Sequence, residues 1–258
     1  MSGGFTPEAL ERYSRQILLP GVGGAGQRRL AAARVVVVGS GGLGCPALQY
    51  LAAAGVGRID IIDSDVVELS NLNRQVLHST AGVGRSKAES AAGALRALNP
   101  QVDARPLNQR LDVDNANHLL SGSNVVLDGT DNFRTRYTVA DTCAALGIPL
   151  VSGSLFRFEG QLALFPHDGS ADSPCYRCLY PQAPPPGTTP SCAEAGILGP
   201  VAGLVGSLMA TEALKLLLRV GEPLAGRLLV IDALAGRFDE FRVARRPACP
   251  HHSPAPKD

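Results

Sequence analysis

Charge of one sign, long apolar runs and cysteine are all scarce in this sequence, and each shortage removes a class of function. The 24 lysines and arginines stand against 23 aspartates and glutamates, giving a formal net charge of +1 and an isoelectric point near 7.7. Bulk electrostatics therefore give no reason to expect a nucleic acid or a membrane as partner. Met1 to Leu10 lacks the basic stretch and apolar core of a leader peptide. No apolar run is read as approaching the roughly 20 residues that a membrane-spanning helix requires. A cytoplasmic location is the resulting expectation. Six cysteines, Cys45, Cys143, Cys175, Cys178, Cys192 and Cys249, are too few for a disulfide framework in 258 residues, so reduced thiols are expected. Cys45 and Cys143 fall within apolar helical patterns, where a cysteine usually behaves as a small buried hydrophobe.

What is present is a chain with 45% hydrophobic residues, enough to bury a large α/β core as one domain or as one domain with a smaller lobe. Its organising stretch runs from Arg34 to Asp65. A β-branched run, Val35 to Val38, leads into Gly39-Ser40-Gly41-Gly42-Leu43-Gly44, then an alanine-rich helical pattern, then Ile59 to Ile62 closing on Asp63. Glycines 39, 41 and 44 permit a tight turn through which a phosphate can approach backbone N–H groups, and the following helix offers its positive end. Gly42 lies in the same turn. An acid closing the second strand can accept hydrogen bonds from ribose hydroxyls. The pattern is a Rossmann-type nucleotide site; the glycines do not distinguish NAD from ATP.

Around this unit, Thr6 and Pro7 are read as the cap and first residue of a helix through Ile17, ended by Pro20-Gly21. Glu68 to His78 interleaves polar groups with leucines where a plain connection would be shorter. A helix from Gly84-Arg85-Ser86-Lys87 to Leu98 follows, then a strand from Val102 to Leu107 and a short helix from Asn115 to Leu120. Val125 to Asp128 is a strand closing on Gly129-Thr130-Asp131-Asn132; a helix through Arg134 and Ala145 and a strand from Pro149 to Ser152 come next. To about residue 153 this alternation implies a mostly parallel sheet with helices on both faces, with Asp63 and Asp131 in one crevice. Beyond it, an antiparallel strand from Phe158 to Phe165, a proline-rich segment from Pro181 to Pro190, a long buried helix from Ile197 to Val220 and two strands near Leu228 to Asp232 and Arg237 to Val243 are expected. No internal repeat is evident.

With Gly39 to Gly44, Asp63, Ser70-Asn71-Leu72-Asn73-Arg74-Gln75, Gly84 to Lys87, Asp128 to Phe133, Cys175-x-x-Cys178 and Ser191 to Gly196 in order, the chain resembles the E1-like adenylyltransferases of the MoeB/ThiF group. The resemblance extends from Tyr13-Ser14-Arg15-Gln16 to Cys249. It implies a single E1-like domain over residues 1–258, with a nucleotide-binding half to about 153 and a carrier- and zinc-binding half from about 154. It also implies that ATP activates the C-terminal Gly-Gly of a ubiquitin-like sulfur carrier, giving acyl-adenylate and pyrophosphate ahead of a thiocarboxylate for molybdopterin or thiamin synthesis. A sulfurtransferase or cysteine desulfurase would donate the sulfur; the rhodanese domain of longer relatives is not expected here. A C-terminal carboxylate, with an unperturbed pKa near 3.5, is already ionised and needs no general base. The barrier is electrostatic, so the site needs cations, amide donors and magnesium.

By that resemblance Lys87 contacts the phosphates, Arg74 with Asn71 and Gln75 orients them, Asp63 takes the ribose, and Asp131 is the magnesium-linked acid. Arg15 would reach the site of a second subunit, making a homodimer part of the reading. Cys175-x-x-Cys178 suits tetrahedral zinc and needs a second pair. The family supplies another Cys-x-x-Cys; here Cys249 is followed three positions later by His252, giving a Cys₃His set of Cys175, Cys178, Cys249 and His252, with His251 as an alternative to His252. Cys192 lies before a helix N-terminus, where a thiolate is favoured; in one branch of the family such a cysteine carries sulfur covalently and in the other it does not. Two rival readings remain: an NAD-dependent dehydrogenase built on the same turn and Asp63, and a non-catalytic nucleotide-binding scaffold.

Overall fold

The computed structural model describes residues 5–170, 173–185 and 196–251. Thr6 accepts a hydrogen bond from the Ala9 N–H at 3.2 Å and Pro7 occupies the first turn, so α1 (Pro7–Ile17) begins where the cap requires. It is followed by α2 (Gly23–Ala32), which the sequence reading missed. Its first residues, Gly-Gly-Ala-Gly, have poor intrinsic helix propensity. Burial of Leu30 and Gln27 stabilises it instead, and the Gln27 amide donates to the Ala54 carbonyl at 3.0 Å.

The alternation that follows builds one sheet: β1 (Arg34–Val38), α3 (Gly44–Ala53), β2 (Arg58–Ile62), α4 (Lys87–Leu98), β3 (Asp103–Leu107), α5 (Ala116–Leu120), β4 (Val125–Asp128), α6 (Phe133–Leu146) and β5 (Leu150–Phe156). These five strands are parallel. The antiparallel strands β6 (Glu159–Phe165), β7 (Arg227–Asp232) and β8 (Arg237–Arg242) continue it, giving the order β3-β2-β1-β4-β5-β6-β7-β8. The change of pattern expected near residue 153 falls inside β5, which runs through it without a break.

Successive valines of β1 enter opposite cores, as the two-residue period of a strand demands. Val35 and Val37 pack with Leu48 of α3 and Leu95 of α4; Val36 and Val38 pack with Leu120 of α5 and Val139 of α6. The second core also takes Tyr176 from α7 (Tyr176–Leu179). The first takes Val205, Met209 and Ala213 from α8 (Gly199–Leu218).

Helix α8 starts at Gly199 and not at Ile197, because Pro200 is tolerated in a first turn that has no carbonyl partner for its nitrogen. It also corrects the expectation about apolar runs: it is 20 residues long, its most apolar window has a mean hydropathy of 1.6, and it meets the length and apolarity of a membrane span. Length and composition alone do not separate such a span from a core helix. Half of the apolar window is buried in this fold, and the buried Glu212 accepts the Leu224 N–H at 2.7 Å.

Leu48 is wholly buried between α3 and the sheet. Leu48→Ala should cost about 3 kcal/mol in equilibrium urea unfolding; a loss below about 1 kcal/mol would contradict close packing there.

Candidate active site and metal centre

The glycine turn lies where β1 meets α3. Gly39 has φ +89°, and a Cβ on Gly44 would stand 1.9 Å from the Gly39 carbonyl oxygen, so the first and last glycines are required by backbone conformation and close approach respectively. Asp63, at the end of β2, latches this turn. Its Oδ2 accepts from the Ser40 N–H at 2.8 Å and the Ser40 hydroxyl at 2.9 Å, while Oδ1 accepts from the Asp65 N–H at 2.9 Å. The half-buried carboxylate still lines the crevice, and carboxylate oxygens have lone pairs to spare for a ribose.

The turn forms one wall of a cavity of about 360 Å³ at the carboxyl ends of the parallel strands. Of the residues singled out from sequence, Gly39, Gly41, Gly42, Asp63, Arg74, Gln75, Lys87 and Asp131 all line it. Gly44 lies beneath the turn. Asn71 stands back from the cavity: its side chain accepts the Glu68 N–H at 3.3 Å, closing a capping box on a single helical turn, Leu69–Asn71, which carries the chain into Arg74 and Gln75. Arg15 is exposed on α1 and does not line this crevice. Cys192 lies outside the described residues.

Charge in the cavity is finely divided. Lys87, the first residue of α4, is buried and its Nζ donates to Oδ2 of the exposed Asp65 at 3.0 Å. Arg74 donates to the Ser70 carbonyl and to the Asn73 side chain, each at 3.0 Å. Arg110 and Arg136, which the sequence reading passed over, add two further cations, and the Arg136 Nε is held at 3.0 Å by the Thr130 carbonyl. Opposite lies Asp131, exposed and free of the turn that engages Asp128. Asp128 is wholly buried; burial pushes its pKa up, while the Arg136 charge and two bonds from Thr130 pull it down. The Gln75 side chain is buried in the wall of the cavity, and its Oε1 has no protein hydrogen-bond partner.

Behind the turn, the buried His78 bonds the Ser40 carbonyl through Nε2 at 2.9 Å and the Ser90 hydroxyl through Nδ1 at 3.0 Å. Glu68 to His78 is richer in polar groups than a connection needs, but nothing local in the sequence singles out this histidine. Burial lowers its pKa, opposed by the Ser40 carbonyl and assisted by Lys87.

A second cluster lies on the other side of α6. The thiols of Cys175, Cys178 and Cys249 are buried with their sulfurs within 4.8 Å of one another. Cys175 is 3.9 Å from Cys178 and 3.3 Å from Cys249. Burial and the Cys249 thiol push Cys175 up to about 12. At Cys178 burial also raises the pKa, but N–H groups, first that of Arg246 at 3.4 Å, outweigh it and the net shift is downward. Three converging thiols with N–H support are a donor set suited to zinc. His252 lies outside the described residues. His251 stands outside the thiol group: its Nε2 is 2.9 Å from Asp141 Oδ1, and the same carboxylate takes a two-pronged bond from Arg177 at 2.7 Å. Asp141, on α6, thus ties the Cys175–Cys178 turn and the Cys249 segment to one helix.

Residues 13–251 match the model of the ThiF family. The chain belongs to that family. A sulfur carrier protein adenylyltransferase of Thermus thermophilus is 53% identical over 95% of this chain and 92% of its own. A SAMP-activating enzyme E1 of Haloferax volcanii is 53% identical over 93% of this chain and 88% of its own. The crystal structure of E. coli MccB with MccA-N7isoASN superposes with a TM-score of 0.79 over 93% of this chain and 74% of that one, at 23% identity, which is a likeness of fold. The eight-stranded parallel-then-antiparallel sheet of this ThiF-family chain is the architecture expected from its sequence resemblance.

Because the folded-state pKa of His78 lies below the ordinary value of about 6.5, the unfolded chain binds its proton first as pH falls. The neutral ring's contribution to stability is present above about pH 6.5 and is lost progressively below it. Urea midpoints between pH 7.5 and 5 should therefore fall more steeply in the wild type than in His78→Gln; equal slopes would contradict the neutral buried ring.

Proposed function

We propose that this protein uses ATP to adenylylate the C-terminal glycine of a ubiquitin-like sulfur carrier, releasing pyrophosphate and leaving an acyl-adenylate for thiocarboxylate formation. The observation that carries this reading is the cavity itself, which gathers a glycine turn, two cations, Arg74 and Lys87, and an exposed carboxylate, Asp131. The names of the relatives from Thermus and Haloferax support the same substrate class. Lys87 would exchange Asp65 for a phosphate, a low-cost move because Asp65 is solvated and survives without its partner. Arg74 would hold the outer phosphates and Asp63 the ribose, while the Gln75 Oε1 would accept from the nucleotide or the carrier tail. The attacking carboxylate is ionised at neutral pH, so these residues act by charge and orientation and not by proton transfer. Asp131 is the residue to hold magnesium, which when bound would neutralise phosphate charge. A dehydrogenase would leave Arg74, Lys87, Asp131 and the thiol cluster without work.

Zinc bound by Cys175, Cys178, Cys249 and His252 would be structural, joining the chain after β6 to the segment after β8. Five described cysteines are free thiols, in keeping with a reducing, cytoplasmic setting. Cys192 is the candidate for covalent sulfur transfer, with a sulfurtransferase or cysteine desulfurase as donor. A homodimer completes the proposal. Apolar α8 is only half covered in the single chain, and a groove of about 290 Å³ between α3 and α8 reaches Gln16, the neighbour of Arg15 on α1. A second copy seated there would cover Leu214 and Tyr50 and bring Arg15 to the boundary between subunits.

ATP–pyrophosphate exchange should require a carrier ending in Gly-Gly and vanish when its last glycine is removed; exchange indifferent to that glycine would overturn the reading. Asp131→Ala should cut exchange by about 100-fold or more with the fold intact, and full activity in that variant would remove Asp131 from the site. Purified protein should contain about one zinc per chain; less than about half an equivalent would contradict the four-ligand set.

A further inference from the structure

Ser40 and His78 are both buried, lie 38 residues apart and do not line the crevice, yet they meet directly behind it. A carbonyl oxygen only accepts, so the 2.9 Å contact from His78 to Ser40 requires the ring proton on Nε2. Nδ1 then carries the lone pair of the neutral ring and accepts the Ser90 hydroxyl at 3.0 Å. Ser90 stands one turn after Lys87 on α4, so one helix presents the crevice lysine and supports the histidine. The Cys45 thiol donates to the same Ser40 carbonyl at 3.1 Å, and burial, pushing its pKa up to about 12, keeps its proton in place.

These contacts have a consequence at the next residue. A trans peptide is planar, with its C=O and N–H pointing in opposite directions. A Ser40 carbonyl drawn back toward His78 and Cys45 therefore turns the Gly41 N–H the other way. Gly41 lines the crevice, and its N–H has no protein acceptor among the described residues. We infer that His78 is a positioning residue of the nucleotide site, which by holding the Ser40 carbonyl fixes the Gly41 N–H as a donor to a phosphate oxygen. The inference rests on the nucleotide reading of the crevice. A leucine would fill the same space without either directional bond, whereas glutamine carries an Nε2–H that reaches the same carbonyl.

The test compares binding of ATP and of adenosine, by calorimetry, to wild type, His78→Leu and His78→Gln. His78→Leu should weaken ATP about tenfold, the scale of one misdirected hydrogen bond to a charged group. Adenosine, lacking phosphates, should bind all three proteins alike, and His78→Gln should recover most of the ATP affinity. Unchanged ATP affinity in His78→Leu, equal losses for ATP and adenosine, or no recovery by glutamine would overturn the role. Absence of ATP binding in the wild type would instead overturn the nucleotide reading beneath it. Should His78→Leu fail to fold, the ¹⁵N spectra of uniformly labelled wild type decide. A neutral Nε2–H ring, together with movement of the Gly41 amide on adding ATP, is the expected result; an Nδ1–H ring or a still Gly41 amide contradicts it.

Discussion

Four hydrogen bonds converge on Ser40, and the course of the glycine turn follows from them. Its N–H and hydroxyl donate to Asp63, and its carbonyl accepts from His78 and Cys45. Those partners come from the residue just after β2, from the connection before α4 and from α3, so the turn is fixed by three separate parts of the chain. A loop meant to offer N–H groups to an anion must have its carbonyls satisfied elsewhere, because an exposed carbonyl would present negative charge to the ligand. The Ser40 hub meets that requirement, and in it Asp63 has a structural task of its own, holding the Ser40 N–H and hydroxyl.

Helix α6 links the two candidate centres. Its N-terminus emerges from Asp131 and Asn132 at the cavity, where the Asn132 side chain caps it by accepting the Thr135 N–H at 2.9 Å. Two turns later Asp141 holds Arg177 and His251, which flank the thiol group. Arg177 also sits 4.7 Å from the Tyr137 ring centroid, adding a cation–π contact to the same helix. Loosening the thiol cluster would therefore act first on the helix whose beginning shapes the crevice.

Much of this was legible in the sequence, for local reasons. The β-branched run before the glycines, the Thr6-Pro7 cap and the Asp128 to Asn132 turn each carry their own short-range signal, and strands and helices fell within a few residues of their expected places. The rest was hidden because it depends on partners distant in the chain. Helix α2 opens with residues of weak propensity and exists through its packing against the first core. His78 acquires its partner from 38 residues away, and Asp141 from 36 and 110 residues away. His251, open as a metal ligand from spacing alone, has its Nε2 engaged by that aspartate, 110 residues away.

On the proposed reading, the glycine turn and Lys87 together receive the nucleotide phosphates. A crystal structure with a non-hydrolysable ATP analogue and magnesium tests it most directly. Phosphate oxygens should lie against the Gly41 N–H, with the Lys87 ammonium moved from Asp65 to the phosphates. Phosphates bound elsewhere, with Lys87 still paired to Asp65, would contradict it.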